Sequence, residues 1–174
     1  MERTKAQTGV WGELLVQQDL LELGIDSARM TTDYGIDLVA FDREARSAFS
    51  IQVKTTSFDL KTTERRPDWK VKREKLQEAD LFAFALLNTK EVWYISRFEL
   101  EENNLREKQL VRLYNGEWAL TFYRTDAEQR KLDKARLIES DLSGFKGVDG
   151  LKRFLSAVRQ ERKVTKAESA KSAP

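Results

Sequence analysis

The chain has 174 residues, 31 Lys and Arg against 29 Asp and Glu, a formal charge of +2, and no cysteine or histidine. That excludes disulfides, thiol chemistry, Ser-His-Asp and Cys-His catalysis and His- or Cys-ligated zinc, and leaves carboxylates, lysines, hydroxyls or an oxygen-bound hard metal. The length favours one domain, and the small charge surplus is no argument for nucleic acid by itself.

The opening MERTKAQTG lacks a signal-peptide apolar stretch, and no apolar run approaches the ~20 residues that span a bilayer, so a soluble, cytoplasmic protein is expected. A first helix is expected from about Thr8 to Leu23, ended by Gly24. At about 100° per residue, Val10, Leu14, Val16, Leu20, Leu21 and Leu23 fall on one half, with Glu13 near its centre. An unpaired carboxylate there costs several kcal/mol, so Glu13 calls for a partner such as a metal ion or a lysine. The alternative is an acid in the first turn, favoured by the helix dipole and reached by water. Trp11 and Leu15 fall on the other side beside Gln18, Asp19 and Glu22, to meet a second protomer or a later segment.

After an extended IDSARMTT, GIDLVAF and SAFSIQVKTT read as strands joined by the turn DREAR. With the turn centred between Glu44 and Ala45, Asp37 lies opposite Gln52, and Lys54 shares that face while Ile51 and Val53 point the other way. DWKVKREKLQEA reads as a short helix, LFAFALLN and EVWYIS as strands around NTKE, LVRLYN and EWALTFY as a pair, and GLKRFLSAV as an amphipathic helix. The order is α/β with a mixed sheet. From about Gln160 the apolar residues give out, and a flexible basic tail is expected, either following phosphates or simply solvated.

Asp37, Gln52 and Lys54 form a cluster suited to phosphodiester hydrolysis with a hard divalent cation. Asp37 would bind the ion, with Gln52 and the Val53 carbonyl as neutral ligands and Glu13 binding directly or through water. Lys54 would orient the attacking water and stabilise charge on the phosphorane-like transition state. By spacing alone, the same residue types also suit the wet face of an ordinary strand pair.

Taken together, G-V-W-G-E-L-L at 9–15, G-I-D-L-V-A at 35–40 and I-Q-V-K-T-T at 51–56 resemble the PD-(D/E)xK nuclease superfamily. The nearest flavour is that of archaeal Holliday-junction resolvases and small intron-encoded homing endonucleases. The resemblance covers about the first 95 residues, including LFAFALLN and EVWYIS. It implies a restriction-endonuclease-like mixed β-sheet flanked by helices, with residues 1–98 as nuclease core, 99–159 as an extension packed on it and 160–174 as the tail. It also implies a Mg²⁺-dependent (Mn²⁺ possible) DNA endonuclease acting as a homo-oligomer, site-specific or junction-resolving.

By position, Glu13 matches the helical acid of that superfamily, Asp37 its first metal-binding Asp, Gln52 its second acid and Lys54 its lysine. Gln52 departs from the usual Glu or Asp and removes one negative charge, which lowers cation affinity and leaves an inactive, DNA-binding relative as the alternative. KTTERRPDWKVKREK, with seven basic and three acidic residues, follows the catalytic strand. Lys61, Arg65, Arg66, Lys70, Lys72 and Arg73 there would follow phosphates, with Trp69 stacking or wedging; a solvated loop and helix face is the alternative. Interfaces are expected at Trp11 and Leu15, or in the region from LFAFALLN to LVRLYN, where apolar positions are in excess.

Overall fold

A computed structural model of the chain describes residues 4–31, 35–57, 68–72, 78–101, 111–114, 117–121, 123–125, 137–139 and 142–171; at 68, 111–139 and 165–171 the account is of backbone only.

Helix α1 spans Lys5–Glu22. It begins before Thr8 because Thr4 and Gln7 form a capping box: Gln7 N–H donates to Thr4 Oγ1 at 3.2 Å, and Thr4 N–H donates to Gln7 Oε1 at 2.9 Å. The expected stop holds, with Gly24 at φ +69°. The buried stripe is Gly12, Val16 and Leu20, flanked by partly buried Leu15 and Leu23, whereas Leu14 and Leu21 are exposed. The apolar arc read from the sequence is therefore rotated from the true one, and Glu13 lies beside the stripe instead of at its centre. Gly12 is the reason: a Cβ there would overlap Thr55 Oγ1, so the helix lies against the sheet at a residue that no hydrophobic pattern counts.

The main sheet comprises β1 (Asp26–Arg29), β2 (Leu38–Asp42), β3 (Ser47–Thr56), β5 (Leu81–Leu86) and β6 (Glu91–Ser96), in the order β1-β2-β3-β5-β6. Only β3 and β5 pair in parallel; the other neighbours are antiparallel. The β2–β3 register is the expected one, with Leu38 opposite Ile51 and Phe41 opposite Ala48. Asp42 fixes its turn by accepting from Glu44 N–H at 2.9 Å and Ala45 N–H at 3.3 Å. The same carboxylate accepts from Arg159 Nε at 2.7 Å, tying the turn to helix α3 (Gly147–Lys171).

Strand alternation gives the sheet two packed faces. On one, Ile51, Leu81, Ala83 and Tyr94 meet Val16 and Leu20 of α1 and Leu151, Phe154 and Leu155 of α3. On the other, Phe82, Phe84, Trp93 and Ile95 meet Trp69 and Val71 of β4 (Asp68–Lys72) and Leu100 of α2 (Arg97–Glu101). Strand β4 belongs to a second sheet of order β4-β8-β7, with β7 at Val111–Tyr114 and β8 at Glu117–Thr121. A further antiparallel pair joins β9 (Tyr123–Thr125) to β10 (Leu137–Glu139).

Three expectations change here. DWKVK is a strand and not a helix, because Trp69 and Val71 alternate with Lys70 and Lys72 and fill one side of β4. Residues 160–171, expected to be flexible, continue α3. LFAFAL offers no interface, since β5 is buried along its whole length between β3 and β6.

Candidate active site

The β2–β3 hairpin builds the site by staying in register up to Leu38 and Ile51 and then parting. Asp37 N–H still donates to Ile51 O at 2.9 Å, while the Asp37 carboxylate accepts from Val53 N–H at 2.6 Å. The side chain thus takes the hydrogen bond that the next residue of β2 would have made. Because the N–H and C=O of one strand residue point to the same edge, the Val53 carbonyl faces this opening as well.

Gln52 and Lys54 pair in register with Phe82 and Phe84, so both stand on the β4 side of the sheet, opposite α1. Lys54 is half-buried. Gln52 is only 4% exposed, and its Oε1 is buried with no hydrogen-bond partner. An unsatisfied buried carbonyl costs about 1–3 kcal/mol, and a carbonyl oxygen without a donor suits a cation.

Asp37 bonds to Ile51 and Val53, the neighbours of Gln52 in β3. Glu13 sits on the helix side of the sheet, where its carboxylate accepts from Arg29 Nε at 2.5 Å, so its partner is an arginine of β1. Met30, next after Arg29, donates its N–H to Asp37 O at 2.9 Å, which links that ion pair to the Asp37 backbone. Glu78 was absent from the sequence reading. Its buried Oε2 fills the space that a Cβ on Gly35 would occupy, and Gln52 Nε2 lies 3.4 Å from the same point. The cue was Gly35 two residues before Asp37, a position at φ +82° that L side chains rarely adopt.

Of the expected nucleic-acid contacts, Trp69 is corrected. It is 2% exposed and packs edge-on against Phe84 and Trp93, with centroids at 6.4 and 6.0 Å, so no base can stack on it. Lys70 and Lys72 are exposed on the outer side of β4. Lys61, Arg65, Arg66 and Arg73 lie outside the described residues. At the expected interface Trp11 is 44% exposed, but Leu15 is partly buried against the core.

Among the described residues no three acidic side chains gather into a cation cage. The donor set is mixed: the Asp37 carboxylate, the Gln52 amide and the Val53 backbone. All offer oxygen, the donor atom that Mg²⁺ and Mn²⁺ prefer, so these residues fit such an ion.

A mixed five-stranded sheet flanked by helices, with this hairpin at its centre, defines a restriction-endonuclease-like fold. Solved structures share it: a bacterial homing endonuclease matches with a TM-score of 0.57 over 94% of this chain and 99% of its own, at 13% identity. A nuclease from a fusselovirus matches at 0.52 over 95% and 99%, at 15% identity. A Holliday junction resolvase from Archaeoglobus fulgidus matches at 0.43 over 75% and 90%, at 13% identity. No protein-family model matches the sequence, and neither does any curated protein. The first two matches extend the likeness past residue 95 to nearly the whole chain. Among the described residues no helix is long and apolar enough to cross a membrane.

Proposed function

We propose that the protein is a divalent-metal-dependent DNA endonuclease that hydrolyses phosphodiester bonds, either site-specifically or at junctions. The observation that carries this reading is the buried, unsatisfied Gln52 carbonyl beside the Asp37–Val53 contact. Asp37, Gln52 and the Val53 carbonyl would hold Mg²⁺ or Mn²⁺. The bound cation supplies Lewis acidity toward the phosphoryl oxygen. Lys54 donates to the phosphate and places the attacking water, stabilising the charge that builds during displacement. Glu13, engaged by Arg29 on the helix side of the sheet, acts through the adjoining Met30–Asp37 backbone bond and not at the cation.

Lys70 and Lys72, with Lys61, Arg65, Arg66 and Arg73, supply salt-dependent contacts to the DNA backbone. Cutting both strands needs two such sites, so the active form is a homo-oligomer. The α1 face with exposed Trp11, Leu14 and Leu21 is the interface that suits it. The neutral Gln52 favours one second reading, a nuclease-fold protein that binds DNA without cutting it.

Supercoiled plasmid, linear duplex and four-way junction, incubated with Mg²⁺, Mn²⁺ or EDTA, separate the readings. Metal-dependent cutting lost in Asp37→Ala and Lys54→Ala, with binding kept, is the expected result. Binding with no cutting of any substrate under any metal would favour the second reading.

A further inference from the structure

The β2–β3 motif carries one carboxylate, Asp37, where a second acid would ordinarily stand at position 52. We propose that Glu78 supplies that missing carboxylate to the cation site; this inference rests on the metal-dependent reading above.

Glu78 lies at the end of the crossover from β3 to β5, in a segment pinned to β3. Asp80 N–H donates to Ser50 O at 3.1 Å, and the Asp80 carboxylate accepts from both the N–H and the hydroxyl of Ser50 at 2.8 Å. Ala79, between them, is buried. Glu78 is therefore delivered from a fixed backbone.

Its Oε2 abuts Gly35, where a side chain would collide with it, and Gln52 Nε2 lies 3.4 Å from the same point. Gly35 is favoured by its φ of +82°, and its lack of a side chain leaves the space that the Glu78 carboxylate takes up. The independent sign of a ligand is Gln52, nine-tenths buried and more, with its carbonyl oxygen unsatisfied in the same cluster. Two carboxylates and neutral carbonyls are oxygen donors of the kind that would hold Mg²⁺. On this reading the acid has moved from the strand to the crossover, and the Gln52 amide remains as a neutral donor.

The test is Mn²⁺ binding by the full chain, followed by calorimetry and by the electron paramagnetic resonance of the free ion. Glu78→Gln, which keeps the shape, should weaken Mn²⁺ binding by at least about tenfold with unchanged thermal melting of the metal-free protein. Gln52→Glu added to Glu78→Gln should recover most of the loss, and Gln52→Glu alone should bind more tightly than the parent. Parent-like binding by Glu78→Gln, in a protein that does bind Mn²⁺, would overturn the role of Glu78 and leave the metal site standing. Failure of the double variant to recover, with Glu78→Gln weakened, would also overturn it, because Glu78 would then act through the fold. No Mn²⁺ binding and no metal-dependent cutting by the parent protein would overturn the underlying reading.

Discussion

Two glycines of α1 give one substitution opposite outcomes. Replacing glycine by alanine in a helix interior stabilises by about 1 kcal/mol, because the unfolded chain loses freedom it would otherwise regain. At Gly9 nothing lies within 4 Å of the added Cβ, so Gly9→Ala should gain that amount. At Gly12 the Cβ overlaps Thr55 Oγ1 and lies 2.9 Å from both Thr55 Cβ and Cγ2, on the stretch of β3 paired with β5. Overpacking of that kind costs about 1–3 kcal/mol. Set against the propensity gain, Gly12→Ala should range from nearly neutral to about 2 kcal/mol destabilising. For a chain of this size each kcal/mol moves Tm by about 2–4 °C. Calorimetry should show Gly9→Ala rising by about 2–4 °C and Gly12→Ala falling by up to about 8 °C. Thr55→Ala, which removes two of the three clashing atoms, should make Gly12→Ala cheaper in a double-mutant cycle. Equal stabilisation by the two alanines would refute the close approach of α1 to β3.

Other outcomes follow from the polar pairs. Burial alone would raise the Asp42 carboxyl, but the hydrogen bonds from Arg159 and from Ala45 and Glu44 N–H hold it below the usual range. Its stabilisation is therefore present above about pH 4 and lost as pH falls through the depressed value. Asp42→Asn should cost about 2 kcal/mol at pH 7 in urea unfolding, with the difference closing in acid. Asp19 behaves oppositely: burial raises its pKa, only partly offset by Tyr94 O–H donating at 2.7 Å, and nearby Glu22 adds to the rise. That penalty is absent below about pH 4 and grows as pH rises through the raised value, so Asp19→Asn should raise Tm at pH 7 but not in acid. Tyr94→Phe removes the donor and should destabilise by about 1–3 kcal/mol at pH 7 in the same assay. Arg29→Ala, which leaves the largely buried Glu13 carboxylate without this partner, should lower Tm as well as metal-dependent cleavage.

What the sequence discloses depends on how local the signal is. The β2–β3 register was legible because a short turn with Asp42 at its base leaves one pairing that keeps Ile51 on the buried side, and that pairing carries Asp37 to Gln52. The bounds of β3 and β6 were legible because polar turns flank them. Trp-Lys-Val-Lys in β4 sits in a stretch, DWKVKREKLQEA, that reads as a helix although these four alternate as a strand does; the second sheet that rewards the alternation, through β8, lies some fifty residues on in the sequence. The buried stripe of α1 was displaced because its contact residue, Gly12, has no side chain to count. Glu78 was invisible because only the fold carries the crossover back beside Gly35.

The contribution of Leu151, Phe154 and Leu155 to the α1 side of the core has a consequence for how the protein is made. These residues leave the ribosome about 60 residues after Tyr94, the last of their partners in the sheet, a delay of about 3–12 seconds at ordinary elongation rates. During that interval the nascent sheet displays Ile51, Leu81 and Tyr94 to a helix not yet translated. The emerging chain therefore passes through a stage in which chaperones have an apolar surface to hold, and the turn of the β2–β3 hairpin gains the tie from Arg159 to Asp42 only when α3 docks.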